Sequence, residues 1–371
     1  MTVRFPAPGR LVVKIGSSSL TALDGGLDRD LIDSVCAQIA GLWHDGRQVV
    51  LVSSGAVAAG LQPLGLARRP TDLGRQQAAA SVGQGALIHA YTSALAGHGL
   101  PCGQVLLTPD DVIDRQRYLN ARTTFSELLQ MGAVPVVNEN DTVVTDELRF
   151  GDNDRLAALV TSMLGAGLLI LLSDVDGLHD GQPASGAPLI ARVDDLTRLD
   201  HRHTGGTVSP MGTGGMGSKL EAARIATFSA AHCVIANARL PQVISTAAGG
   251  EDVGTWFPPA EKRPESRRLW LAFAHQPTGR LFIDGGAVDA ITHKGASLLA
   301  IGVTASEGDF LADEAVDLIG PDGHAVARGV VSFDAATVDR MKGLHTTVLA
   351  DRFGEEGARP VMHRDQLVLT S

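Results

Sequence analysis

Short runs of β-branched residues and leucine alternate along the chain with longer stretches in which apolar residues recur every three or four positions. The runs are Leu11 to Ile15, Val49 to Val52, Val105 to Leu107, Val134 to Val137, Leu168 to Leu172 and Val234 to Ala236. The first two begin 38 positions apart, room for a strand, a crossover helix and a return. Between them Leu31, Ile32, Val35, Ile39, Leu42 and Trp43 fall at helical spacing, which predicts the crossover helix over Asp28 to His44. Uninterrupted apolar strands predict an α/β fold, a mostly parallel sheet sandwiched by helices.

The pattern changes near Thr255. Three prolines and several charges between Phe257 and Pro264 read as a linker. Beyond it, Arg280 to Ile283, Ala315 to Ile319 and Ala325 to Val331 are strand-like runs separated by Asp284-Gly285-Gly286 and Pro321-Asp322-Gly323. The expected organisation is a first domain over 1–258, a linker over 259–276 and a small β-rich domain over 277–371. Residues 179–188 and 204–215 are rich in Gly, Ser, Thr and Pro and are expected to form mobile loops.

Composition narrows the classes. The chain has 371 residues, 44% hydrophobic, enough for two buried cores, and a net charge of −10 argues against a general binder of nucleic acid or anionic membrane. The three cysteines, Cys36, Cys102 and Cys233, are far apart, which argues for a reducing compartment. The first ten residues carry two prolines and no apolar run, so no signal peptide is expected there. The most apolar stretch, Val49 to Leu61, is 13 residues long and broken by Ser53, Ser54 and Gly55, short of the roughly 20 that span a bilayer. A soluble, cytoplasmic protein is expected.

Candidate chemistry gathers where apolar runs end. Lys14 sits inside the first run, just before Gly16-Ser17-Ser18-Ser19. A buried ammonium is costly, but at the C-terminal end of a parallel strand it could face a phosphate; the alternative is an edge-strand lysine in water. The second run ends in Ser53-Ser54-Gly55-Ala56, suited to holding a carboxylate or simply to capping a helix. Asn138-Glu139-Asn140-Asp141 follows the fourth run, and Gly151-Asp152-Asn153-Asp154 opens a predicted helix from Arg155 to Met163, with more acids than capping requires. Gly212-Thr213-Gly214-Gly215-Met216-Gly217-Ser218-Lys219 leads into the helical pattern Lys219 to Ala230. It is not a Walker A loop, because Ser218 separates the last Gly from Lys219, and without a convincing preceding strand or an acid about 20 residues on it is not a dinucleotide fingerprint. What remains is a flexible segment whose N–H groups could take an anion. Lys219 in that first turn opposes the helix dipole, which favours a role for it over a solvated surface position. His201 and His203, one at each end of Arg202 in a polar loop, are no metal site without an acidic or Cys partner and read as a solvated loop.

In this order, Val13 to Ser17, Val52 to Gly60, Asn138 to Asp141, Gly151 to Ala158, Ser173-Asp174-Val175-Asp176-Gly177-Leu178 and Gly212 to Met216 resemble the amino acid kinase family. The match is to the branch that carries a C-terminal PUA domain, here Gly279 to Gly343. The resemblance implies ATP- and Mg²⁺-dependent phosphorylation of the side-chain carboxylate of L-glutamate, the first step of proline synthesis. By matching positions it assigns Lys14 and Lys219 to the phosphates and the transferring group, and Asp154 to orienting both lysines. Ser54, Asp141 and Asn153 match the glutamate site, with Asn138 and Asp152 as neighbours; Asp141 would pair with the α-ammonium. ATP-binding positions match Lys14, Ser173, Asp174, Thr213, Gly214, Gly215, Met216, Gly217, Ser218 and Lys219. Ser173 stands where many relatives have Thr, and Gly217-Ser218 replaces a commoner pair of small or hydroxyl residues. No protein-built Mg²⁺ cage is expected, which suits an ion carried by ATP and water. The resemblance further implies feedback inhibition by proline, a homodimer or homotetramer, and glutamyl phosphate reductase as a conceivable partner.

Two other readings are weighed. One is a kinase of the same fold acting on acetylglutamate, aspartate, carbamate or UMP. The other is RNA binding through the second domain, but residues 265–371 hold 10 basic and 15 acidic side chains, against the basic surface RNA binding needs.

Overall fold

The structure is a computed structural model that describes residues 3–22, 26–143, 153–182, 185–196, 199, 215–259 and 277–369. Asp152, Thr213, Gly214, His201 to His203, nearly all of the 204–215 loop and the linker from 260 to 276 lie outside the described residues. The chain divides into two compact units, Met1–Arg263 and Pro264–Ser371.

The first unit runs β1 (Arg10–Ile15), α1 (Ser17–Leu20), α2 (Arg29–His44), β2 (Gln48–Val52), α3 (Ala56–Leu61), α4 (Leu73–Ala96), β3 (Cys102–Leu107), α5 (Pro109–Ile113), α6 (Arg115–Gln130), β4 (Val134–Glu139), α7 (Asn153–Leu164), β5 (Leu168–Ser173), α8 (Met216–Phe228), β6 (His232–Asn237), α9 (Val243–Ala248) and β7 (Thr255–Phe257). All six apolar runs are strands. They form one sheet in the order β3-β4-β2-β1-β5-β6-β7, parallel except for β7, which pairs antiparallel with β6. From β1 the chain fills one side with β2, β4 and β3, then the other with β5 and β6. The order therefore reverses at β1 and β5, where the ends of parallel strands open a crevice for ligands.

Local sequence explains the main crossovers. Asp28 caps α2 by accepting from the Leu31 N–H at 3.1 Å, and Leu31, Ile32, Val35, Cys36, Ile39 and Leu42 bury one face of the helix. After β2, α3 and α4 cross so closely that a Cβ on Gly60 would lie 1.9 Å from the Ala79 carbonyl oxygen, and one on Gly83 1.8 Å from that of Ala56. Only glycine fits at either position. Alternation along β1 sends Leu11, Val13 and Ile15 into the core shared with α2, α4 and α9. Lys14 therefore faces the opposite side, toward α7.

Two elements begin earlier than the sequence predicts: α7 starts at Asn153 rather than Arg155, and α8 at Met216 rather than Lys219. Apolar periodicity starts later than hydrogen bonding does, because the first turns carry polar or small residues at some of the positions the pattern would read as apolar. The stretch read as a linker from Phe257 is also corrected. Thr255, Trp256 and Phe257 form β7, and Phe257 is fully buried.

The second unit holds a five-stranded mixed sheet in the order β12-β11-β10-β8-β9. Its strands are β8 (Gly279–Ile283), β9 (Val303–Glu307), β10 (Ala315–Ile319), β11 (Ala325–Val330) and β12 (Leu367–Leu369). Leu281, Ile283, Val316, Leu318, Met341 and Met362 belong to a separate core.

Candidate active site

Four adjacent strands, β4, β2, β1 and β5, end side by side in polar residues: Asn138, Ser53-Ser54, Lys14 to Gly16, and Ser173-Asp174. Lys14 is in register with Val52 of β2 and Leu171 of β5, so its two neighbours terminate in the Ser54 and Ser173 turns.

Lys14 is 1% exposed in the middle of the sheet. An ammonium there needs a counter-charge, and α7 brings it. Lys14 Nζ lies 2.5 Å from Asp154 Oδ1, while Lys219 Nζ lies 3.0 Å from Asp154 Oδ2. Asp154 is fully buried. Its charge suits the first turn of α7, where the helix dipole is positive, and it offsets the unfavourable placement of Lys219 in the first turns of α8. Ser218 Oγ adds a contact from α8; its single hydrogen can serve Asp154 Oδ2 at 3.1 Å or the Gly215 carbonyl at 2.9 Å. Two ammonium groups thus share one carboxylate in a site of low dielectric, where electrostatic interactions are strengthened. Beneath this group, burial pushes the Cys233 thiol well up from its ordinary range, with the Asp154 charge adding to the effect.

One residue before Asp154, Asn153 begins a chain of amides. Its Nδ2 donates to the Ser53 carbonyl at 2.6 Å and to Asn138 Oδ1 at 2.7 Å. Both amide hydrogens are spent on protein, so Asn153 can face a ligand only with its carbonyl oxygen. Asn138 Oδ1 also accepts from the Glu139 backbone N–H at 2.9 Å, and Asn138 Nδ2 donates to Gln84 Oε1 at 3.1 Å. Ser53 Oγ and Tyr91 Oη, 2.9 Å apart, anchor the β2 turn to α4. Burial pushes the Tyr91 phenol up, partly offset by that hydrogen bond.

This chain ends at a cleft of about 200 Å³ whose walls include Gln84, Gln104, Glu139, Asn140 and Asp141. Asp141 and Ser54 are each half-buried. On the other flank of Lys14, Ser173 is buried with its Oγ donating to Asp174 Oδ1 at 3.1 Å, and Asp174 is exposed. Gly215 leads into α8, which carries Met216, Gly217, Ser218 and Lys219. Among the described residues no cluster of three or more His, Cys, Asp or Glu could hold a metal ion.

The profile of the Amino acid kinase family matches residues 9–237, and that of the PUA domain matches residues 279–350. The chain belongs to the amino acid kinase family. Among relatives of this family member, a protein of Salinispora arenicola named Glutamate 5-kinase is 52% identical over the full length of both chains. Proteins of the same name from Frankia casuarinae and Streptomyces avermitilis are each 51% identical, over 97% of this chain and 96% of theirs. For an amino acid kinase the arrangement is economical: one carboxylate gathers two cations at the strand ends, and the amide chain runs from that carboxylate to the cleft. Of these residues the sequence singles out the charged members, Ser54, Asn153 and Asn138, but not Gln84. That residue lies in the Ala-, Gly- and Ser-rich α4, where no motif or break in periodicity marks it.

Proposed function

We propose that the protein transfers the γ-phosphoryl group of ATP to the side-chain carboxylate of L-glutamate, giving L-glutamyl 5-phosphate, the first step of proline biosynthesis. The observation that carries this is the convergence of Lys14 and Lys219 on buried Asp154, joined through Asn153 and Asn138 to an amide-lined cleft of about 200 Å³. Relatives named Glutamate 5-kinase, about half identical over nearly the whole chain, support the choice of substrate over other acids.

The chemistry suits the residues. A side-chain carboxylate is ionised at pH 7 and needs no general base. One of its oxygens bonds to the γ-phosphorus as the bond to the β,γ-bridging oxygen breaks, and ADP leaves with that electron pair. Charge spread over the equatorial oxygens is met by Lys14 and Lys219, held in place by Asp154. Asp154 already binds an ammonium on each oxygen, so Mg²⁺ enters as part of the MgATP substrate rather than on that carboxylate. Asp141 pairs with the α-ammonium, Ser54 and Asn153 complete the glutamate site, and Asn138 and Asp152 border it. Ser173, Asp174 and the segment Thr213 to Lys219 serve the nucleotide.

The proposal extends to feedback inhibition by proline at an overlapping site, since both ligands present a carboxylate beside a cationic nitrogen. It includes a homodimer or homotetramer in the cytoplasm, a kinase domain over 1–258, a linker over 259–276 and a PUA domain over 277–371 that modulates assembly or regulation, and delivery of the labile product to a glutamyl phosphate reductase. No helix among the described residues is long and apolar enough to cross a membrane.

Hydroxylamine traps an acyl phosphate as a hydroxamate. ATP-dependent γ-hydroxamate from glutamate is expected; activity on acetylglutamate, aspartate, carbamate or UMP with none on glutamate would overturn the assignment.

A further inference from the structure

The amide chain has a fixed polarity. A peptide N–H can only donate, so the Glu139 N–H bonded to the Asn138 side chain identifies the accepting atom as Oδ1. Asn153 Nδ2 reaches the same oxygen. The other end of the Asn138 amide must then be the NH₂ group, and it points at Gln84. A donor requires an acceptor, so Gln84 turns its carbonyl oxygen inward, and the group it has left for the cleft is its own NH₂. One backbone N–H in β4 thus sets the orientation of a side chain on α4.

We infer that Gln84 is a specificity-determining residue, presenting an N–H donor that binds the α-carboxylate of the amino-acid substrate. This rests on the function proposed above. Gln84 lines the cleft together with Asp141, and it is the member of the Asp154–Asn153–Asn138–Gln84 series farthest along from the two lysines. The reacting carboxylate belongs near the lysines. The head group of the amino acid therefore falls at the far end, where an acid and an amide donor stand together, matched to an α-ammonium and an α-carboxylate respectively. Because the amide cannot rotate without stranding Asn138 Nδ2, a ligand with a donor in place of that carboxylate meets a donor and is rejected.

Two substitutions separate this role from simple support of Asn138. Gln84→Glu keeps an acceptor for Asn138 Nδ2 but replaces the cleft-facing donor with a negatively charged oxygen. Gln84→Met removes both contacts. The expected result in the hydroxamate assay is a glutamate KM raised about 10- to 100-fold in Gln84→Glu, more than in Gln84→Met, with the ATP KM within about twofold of wild type. Glutamate α-carboxamide, whose NH₂ can donate to Glu at this position, should be discriminated against at least about tenfold less by Gln84→Glu than by wild type. A Gln84→Glu glutamate KM within about twofold of wild type, with Gln84→Met impaired, would assign Gln84 to support alone and overturn the inference. Should Gln84→Glu fail to fold, an unchanged glutamate KM in Gln84→Met would overturn it as well. A wild type that forms no hydroxamate from glutamate overturns the proposed function and this inference together; a competent wild type with an indifferent Gln84→Glu overturns the inference alone.

Discussion

Lys14 Nζ and Asp154 Oδ1 lie 2.5 Å apart, both withdrawn from solvent, one on the central strand of the sheet and the other in the first turn of α7. Buried pairs are expensive to break, because the survivor is left charged without a partner. Asp154 holds a second ammonium, so Asp154→Asn would take the same counter-charge from both lysines. The expected outcome is a loss of about 3–5 kcal/mol in stability, read by denaturant titration, and a fall in turnover of at least about 10³-fold. Lys219→Met should behave differently. Lys219 is partly reached by solvent and its loss leaves the Lys14–Asp154 pair intact, so turnover should fall about 10²- to 10³-fold while the fold and the glutamate KM change little. Normal turnover in Lys219→Met would remove it from the reaction.

Much of this site could be read before any coordinates, for a physical reason. A charge inside an apolar strand, as at Lys14, and acids beyond the needs of a helix cap, as at Asp154, are violations of local pattern, and such violations concentrate at functional sites. Strand positions followed from apolar runs, and the parallel sheet from their continuity. Gln84 was invisible because a polar residue on a helix that is partly exposed violates nothing; its role comes from Asn138, 54 positions away. β7 was hidden for the opposite reason: only three residues long, it abuts prolines that pulled the reading toward a linker.

The crossing of α3 and α4 gives a prediction about shape rather than charge. A methyl group at Gly83 would collide with the Ala56 backbone, and α3 directly follows the Ser53-Ser54 turn of the site. Gly83→Ala should cost about 1–3 kcal/mol or more and lower activity by displacing that turn. Gly41 is a matched control, helical, exposed and with nothing near its added methyl; Gly41→Ala should stabilise by about 0.5–1 kcal/mol. Thermal denaturation of the two variants in parallel reads both signs, and equal shifts would refute the steric argument.

Stability should also respond to pH through His232. Its ring stacks on Phe5 at 3.9 Å and its Nδ1 accepts from Trp256 Nε1–H at 3.2 Å, both of which suit a neutral imidazole. Burial lowers its pKa from 6.5 to about 4. Between those values the unfolded chain binds a proton that the folded one does not, so stability is complete above about pH 6.5 and declines as pH falls toward 4. His232→Asn, which cannot ionise, should flatten that decline in denaturant midpoints measured from pH 7 to pH 4.5. An unchanged slope would place the sensitivity elsewhere.

Asp141 offers the sharpest test of how substrate and inhibitor share the cleft. It stands in the cleft wall beside Asn140, and it is proposed to pair with the cationic nitrogen of the bound amino acid. Glutamate and proline both carry such a nitrogen next to a carboxylate, whereas only glutamate has a second carboxylate to send toward Lys14 and Lys219. Loss of Asp141 should therefore weaken both ligands by a similar factor, about 10-fold or more for a charge-assisted contact, while a lysine substitution such as Lys219→Met should leave proline affinity intact. Glutamate KM and proline inhibition measured on Asp141→Ala and Lys219→Met decide the matter. An Asp141→Ala enzyme that loses glutamate affinity but keeps its full proline response would put the inhibitor at a site of its own.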